Sequence, residues 1–209
     1  MKRSYFVGLS LVAVLAGSAF AVSSAFALES TWLVSGAKST TAVNVDSEGE
    51  ILLEDMKGGI FGESIDVLCK VLGLGTGGQP SSITSITLEE CETMSGVCPS
   101  PIATALNLPW NIKIELIGTA FYNGITAAAG EVGYNFSCSG FVDTCATPLG
   151  RALDKENSAG GAVLVEFNTE DVNQPSGSCT KGGIQEALVQ GTQTVLVEET
   201  GLAVAFSEG

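Results

Sequence analysis

The chain has 209 residues, with 23 Asp and Glu against nine Lys and Arg, a formal charge of −14 and no histidine. So acidic a surface repels phosphate backbones and anionic headgroups, which argues against nucleic acid and anionic membrane as partners. The lack of imidazole removes Ser-His and Cys-His nucleophile pairs, imidazole general bases and histidine-ligated zinc.

Residues 1–27 read as a secretory signal peptide. Lys2 and Arg3 form a positive start, an apolar run extends from Tyr5 to Phe20, and small-x-small sites stand at Ala19-Ala21 and Ala25-Ala27. Gly8, Ser10, Gly17 and Ser18 interrupt the run, which falls short of the roughly 20 apolar residues that span a bilayer. Cleavage after Ala27 is expected. Residues 28–209 would then form one secreted domain, long enough to bury roughly 70% of its unfolded surface.

Beyond the leader, short apolar runs recur from "TWLVSG" to "LAVAFS", rich in Val, Ile and Thr and separated by Gly, Asn, Ser or Pro. Runs of this length and pattern predict strands. In "NIKIELIG", Ile112, Ile114 and Leu116 are expected to face the core and Asn111, Lys113 and Glu115 the water. Val163, Val165 and Phe167 share one face by the same alternation. The 26 glycines break most windows long enough for a helix, and only Ile102 to Leu106 offers a helical turn or two. The C-terminal "VLVEETGLAVAF" reads as a hairpin turning at Glu199 to Gly201. The fold class expected is all-β, an antiparallel sandwich or partly closed barrel stapled by disulfides, with little helix.

Taken along the chain, the chemical motifs are weak. "DSEGE" (Asp46, Glu48, Glu50) and "NTEDVNQ" (Asn168, Glu170, Asp171, Asn173) offer alternating oxygen donors without the order of an EF-hand. Gly73, Gly75 and Gly78 have dinucleotide-loop spacing, but "QPSSITSITLEEC" follows where a helix is required. They are expected instead to permit positive φ in a loop between antiparallel strands. Glu89-Glu90 and Glu198-Glu199 are strand neighbours whose side chains point to opposite faces, so neither pair forms a glycosidase site by itself. In "NLPWN", Trp110 is expected at the core or a sheet edge rather than on a sugar-stacking platform. No catalytic, cofactor-binding or metal-binding residue is assigned, and no cofactor is expected.

Cys69, Cys91, Cys98, Cys138, Cys145 and Cys179 all follow the leader, and an even count in an exported chain reads as three disulfides. "CETMSGVC" and "CSGFVDTC" share one spacing, which suggests local bridges Cys91–Cys98 and Cys138–Cys145 and a long one from Cys69 to Cys179. Other connectivities stay open.

"ITSITLEEC", "NLPW", "DTC" and "SCTKGG" together resemble a loose group of exported bacterial proteins that carry an LPW motif between cysteine pairs. The resemblance implies export and a shared disulfide scaffold, and it implies no substrate, cofactor or catalytic residue. The function expected is a non-enzymatic, structural or binding role at or outside the cell surface, with an extracellular protein or polysaccharide as partner. The alternative is a histidine-free carbohydrate-active or carbohydrate-binding protein using acidic residues or calcium.

Overall fold

Runs of 13 to 15 residues with alternating apolar side chains carry the architecture. The computed structural model describes residues 31–34, 37–39, 41–59, 61–78, 80–94, 96, 98–138, 141–156, 163–167, 177–197 and 204–207. Among them lie fifteen strands and no helix. In chain order they are β1 (Thr31–Val34), β2 (Ala37–Lys38), β3 (Val43–Asp55), β4 (Ile65–Gly77), β5 (Ser81–Thr93), β6 (Ile102–Leu106), β7 (Trp110–Ile117) and β8 (Ala120–Ala127). There follow β9 (Val132–Cys138), β10 (Phe141–Thr147), β11 (Gly150–Glu156), β12 (Val163–Phe167), β13 (Gly177–Cys179), β14 (Gly183–Val197) and β15 (Val204–Ser207).

Eight strands close on themselves in the order β12-β11-β8-β7-β5-β4-β3-β14, with β14 pairing again to β12, and every pairing is antiparallel. From β14 the sheet continues outward through β13, β10 and β9 to β6, while β15, β1 and β2 form a separate small sheet. The long strands β3, β4, β5 and β14 therefore run through two halves of the molecule. Each half has its own core. The barrel half packs Val45, Ile125, Val132, Ala152, Val165 and Val195. The other half packs a larger set that includes Leu53, Ile65, Val67, Val71 and Phe136. Full burial of each such side chain stabilises by about 1.5–3 kcal/mol.

Alternation on β3 shows how the sequence selects this arrangement. Val45, Ile51, Leu53 and Asp55 are buried, whereas Asn44, Glu48 and Glu50 are exposed. Of the acids in "DSEGE", Glu48 and Glu50 lie exposed on a strand, while Asp46 is half-buried with one carboxylate oxygen enclosed. On β3 an apolar inner face backs an acidic outer one, whereas the neighbouring β4 exposes Leu72 and Leu74. No helix among the described residues is long and apolar enough to cross a membrane.

Glycines let the strands meet where the two halves join. A Cβ on Gly49 would overlap the Thr192 carbonyl and one on Gly75 the Ser82 carbonyl. Gly73 and Gly75 consequently lie inside β4, where their lack of a side chain admits neighbouring backbone and the Ser47 hydroxyl, and only Gly78 occupies the turn with positive φ (+100°). The loop expected around all three is corrected accordingly.

Three further expectations change. Ile102–Leu106 forms β6, because its backbone pairs with β9 from Ile102↔Ser137 to Leu106↔Gly133. β15 pairs with β1 rather than folding back on β14, and residues 198–203, with the anticipated turn and Glu198-Glu199, lie outside the described residues. Along β7 the alternation holds from Trp110 to Ile114, but Leu116, near the hairpin to β8, is 41% exposed.

All six cysteines are bridged, as Cys69–Cys91, Cys98–Cys138 and Cys145–Cys179. The local pairings drawn from the shared spacing are thereby replaced. Cys138 ends β9 and Cys145 lies within β10, where its ladder partners are Tyr134 on one side and Cys179 on the other. An extended strand rising about 3.3 Å per residue carries Cys145 away from Cys138 and sets it against Cys179 at a Cα separation of 4.0 Å. Likewise Cys91 belongs to β5 and meets Cys69 across the β4–β5 ladder. With sequence separations of 22, 40 and 34 residues, loop closure stabilises by about 3.5–4 kcal/mol per bridge. Three formed disulfides fit an oxidising, extracytoplasmic space.

Candidate functional site

Where the two cores meet, the strands leave a cavity of about 130 Å³. Its walls include Ile51, Val71, Ile83, Ile125, Val132 and Phe167, and Trp110 closes one side. Trp110 is held by its indole N–H, which donates to the Leu106 carbonyl at 2.6 Å, so its ring belongs to the interior, as expected from the sequence. Leu108-Pro109, just before it, is a cis peptide bond. Of the polar residues at the cavity, Ser47 donates its hydroxyl to Gln193 Oε1 at 3.1 Å, and Tyr134, Thr147 and Arg151 also line the wall. A smaller space of about 60 Å³ adjoins it within the barrel, sharing Ser47, Gly73, Ile83, Ile125, Phe167 and Gln193 as walls.

A second feature is a pair of acids in the disulfide-bearing half. Asp55 and Asp143 are both fully buried, and their carboxylate oxygens, with the Cys145 and Cys179 sulfurs, all lie within 4.8 Å of one another. Asp55 ends the inward series Ile51, Leu53, Asp55, and Asp143 stands two residues before the buried Cys145. Backbone N–H groups of Lys57 and Gly182 donate to the two oxygens of Asp55 at 2.9 and 2.8 Å. Asp143 Oδ1 accepts from the Thr144 and Lys181 N–H groups and the Thr180 hydroxyl, while its Oδ2 has no other protein partner. Burial, and then the hydrogen bond to Asp143, raise the Asp55 carboxyl to about 6, against the pull of the two backbone donors.

The surroundings of the two acids do not suit a metal ion. The cysteines beside the acids are oxidised and offer no thiolate. Hard cations need a shell of oxygens, whereas the groups that surround these carboxylates are N–H and O–H donors. As a glycosidase pair the acids would need room for a sugar, and both are fully enclosed.

The acids singled out in sequence do not converge. Asp46, Glu48 and Glu50 share β3, Glu90 pairs with Lys70 in a solvent-exposed ion pair, and residues 168–173 lie outside the described residues. The polar groups that do sit inside went unnoticed in sequence: Asp55, Asp143, Asn123 and Asp154. The signal was their phase, since each occupies an inward position of an alternating strand. Comparison of the chain with protein-family models, with curated proteins and with solved structures returns no match.

Proposed function

We propose that this chain is a secreted, non-enzymatic bacterial β-domain that works by binding, and that the barrel interior takes a small apolar ligand. The signal-peptide pattern and the three bridges support export. The observation that carries the binding reading is the cavity of about 130 Å³ where the two cores meet, walled by Ile51, Val71, Ile83, Ile125, Val132 and Phe167. Interiors normally pack to a density that leaves few voids larger than a water, and an apolar cavity of about 150 Å³ stays dry and admits benzene. Closed antiparallel barrels enclose such spaces without exposing a sheet edge.

The test is titration of the exported, disulfide-bonded chain with benzene, followed by methyl NMR. Saturable shifts at Ile125 and Val132, with a rise in melting temperature that grows with benzene concentration, are expected. Unmoved methyl signals at saturating benzene would overturn the reading.

A further inference from the structure

Asn123 lies on β8 between Phe121 and Ile125, with its side chain turned into the barrel and only 4% exposed. Its Nδ2 donates to Asp154 Oδ1 on the neighbouring β11 at 2.6 Å. That bond fixes the amide so that its carbonyl is left over, and Asn123 Oδ1 is fully enclosed without a donor. A buried acceptor left without a partner is destabilising. The residue lines the smaller space of about 60 Å³, whose other walls include Val45, Val165, Phe167 and Val195 and also Asp46, one of whose oxygens is enclosed without a partner.

From this geometry we infer that Asn123 is the head-group contact of the barrel interior, accepting a hydrogen bond from the hydroxyl of an uncharged ligand whose apolar body extends toward Trp110 and Phe167. The inference rests on the binding reading above and specifies its ligand class. A plain hydrocarbon would fill the apolar walls and leave Oδ1 bare. An ammonium group would satisfy Oδ1 but would bring a full charge into an interior that does not solvate it. Asp154 supports the choice: burial pushes its carboxyl well above the usual carboxylate range, despite the opposing hydrogen bond from Asn123. Its Oδ2 is also enclosed and unpartnered, so two oxygens of this hydrogen-bonded pair lack a donor. A hydroxyl, which brings a donor without a full charge, complements Asn123 Oδ1.

The experiment compares benzyl alcohol, toluene and benzylamine by calorimetry on the exported chain, with the Asn123 side-chain amide signals followed by NMR. Benzyl alcohol is expected to bind about five to ten times more tightly than toluene, as one net hydrogen bond predicts, and to shift the Asn123 amide. In Asn123→Leu the order should reverse. Should that variant fail to fold, the preference of the unaltered protein and the Asn123 shift decide the matter alone. Equal affinity for alcohol and toluene would overturn the head-group assignment while leaving the apolar-binding reading intact. Tighter binding of benzylamine would replace it with a cation site. Binding of none of the three would remove both readings.

Discussion

Asp55 and Asp143, from strands far apart in the chain, meet in a fully enclosed space beside the Cys145–Cys179 bridge. The Asp55 carboxyl rises from 3.8 to about 6 on folding, so the folded state holds its proton more tightly than the unfolded one. The resulting stabilisation is complete below about pH 4 and is lost as pH rises through about 6. Asp143→Asn should make this slope shallower without abolishing it, because it removes the neighbouring carboxylate that helps raise Asp55 while burial, the larger cause, remains. Asp55→Asn should destabilise by about 1–3 kcal/mol, since both oxygens of Asp55 accept backbone N–H groups and an NH₂ would oppose one of them. Thermal melts of the three proteins between pH 4 and 7 check this. Parallel pH profiles for the parent and Asp143→Asn would refute a contribution of Asp143 to the raised Asp55 carboxyl.

The same acid pair makes Gly182 intolerant of a side chain. A Cβ there would overlap Asp55 Oδ1, and Asp55 cannot retreat because Lys57 N–H also holds it. Gly182→Ala is expected to cost about 3 kcal/mol or more, in the range of severe overpacking. Gly62 provides the control: its φ is +81° with open space around it, so Gly62→Ala should cost about 1–2 kcal/mol from backbone strain alone. Denaturant midpoints of the two variants measure the difference.

Peptide mapping under non-reducing conditions should recover Cys69–Cys91, Cys98–Cys138 and Cys145–Cys179. Replacing Cys69 and Cys91 together by serine should lower stability by about 3 kcal/mol. Recovery of a Cys91–Cys98 peptide would contradict the β4–β5 register.

Tyr134 is enclosed by the larger core, and its hydroxyl lies 2.8 and 3.0 Å from the Glu54 and Leu188 carbonyls. Burial pushes the phenol upward from its ordinary value, so an alkaline spectrophotometric titration should leave this tyrosine silent until the protein unfolds. Tyr134→Phe should cost about 1 kcal/mol and abolish the delayed ionisation step.

Much of the fold was legible because period-two alternation reports burial directly: Val165 is buried and Ile114 and Phe167 pack against the barrel core, on the faces the alternation gives them. Closure into a barrel was less so, since the pairing of β12 with both β11 and β14 depends on contacts distant in sequence. Cysteine spacing misled for a related reason. Equal gaps suggest equal turns, but Cys145 lies in an extended strand, where its neighbours are set by the ladder. The interior polar groups were hidden by their type. Asp55, Asp143 and Asn123 look like surface residues until the phase of their strands is known, and what makes them tolerable inside is each other.

The three bridges all belong to the larger core, and the barrel core contains no sulfur. One end of the molecule is thus riveted, while the other relies on non-covalent contacts alone. β7, β8, β11 and β12 are therefore tied to the rest by ladder hydrogen bonds and side-chain contacts, with no covalent cross-link between them and the riveted end.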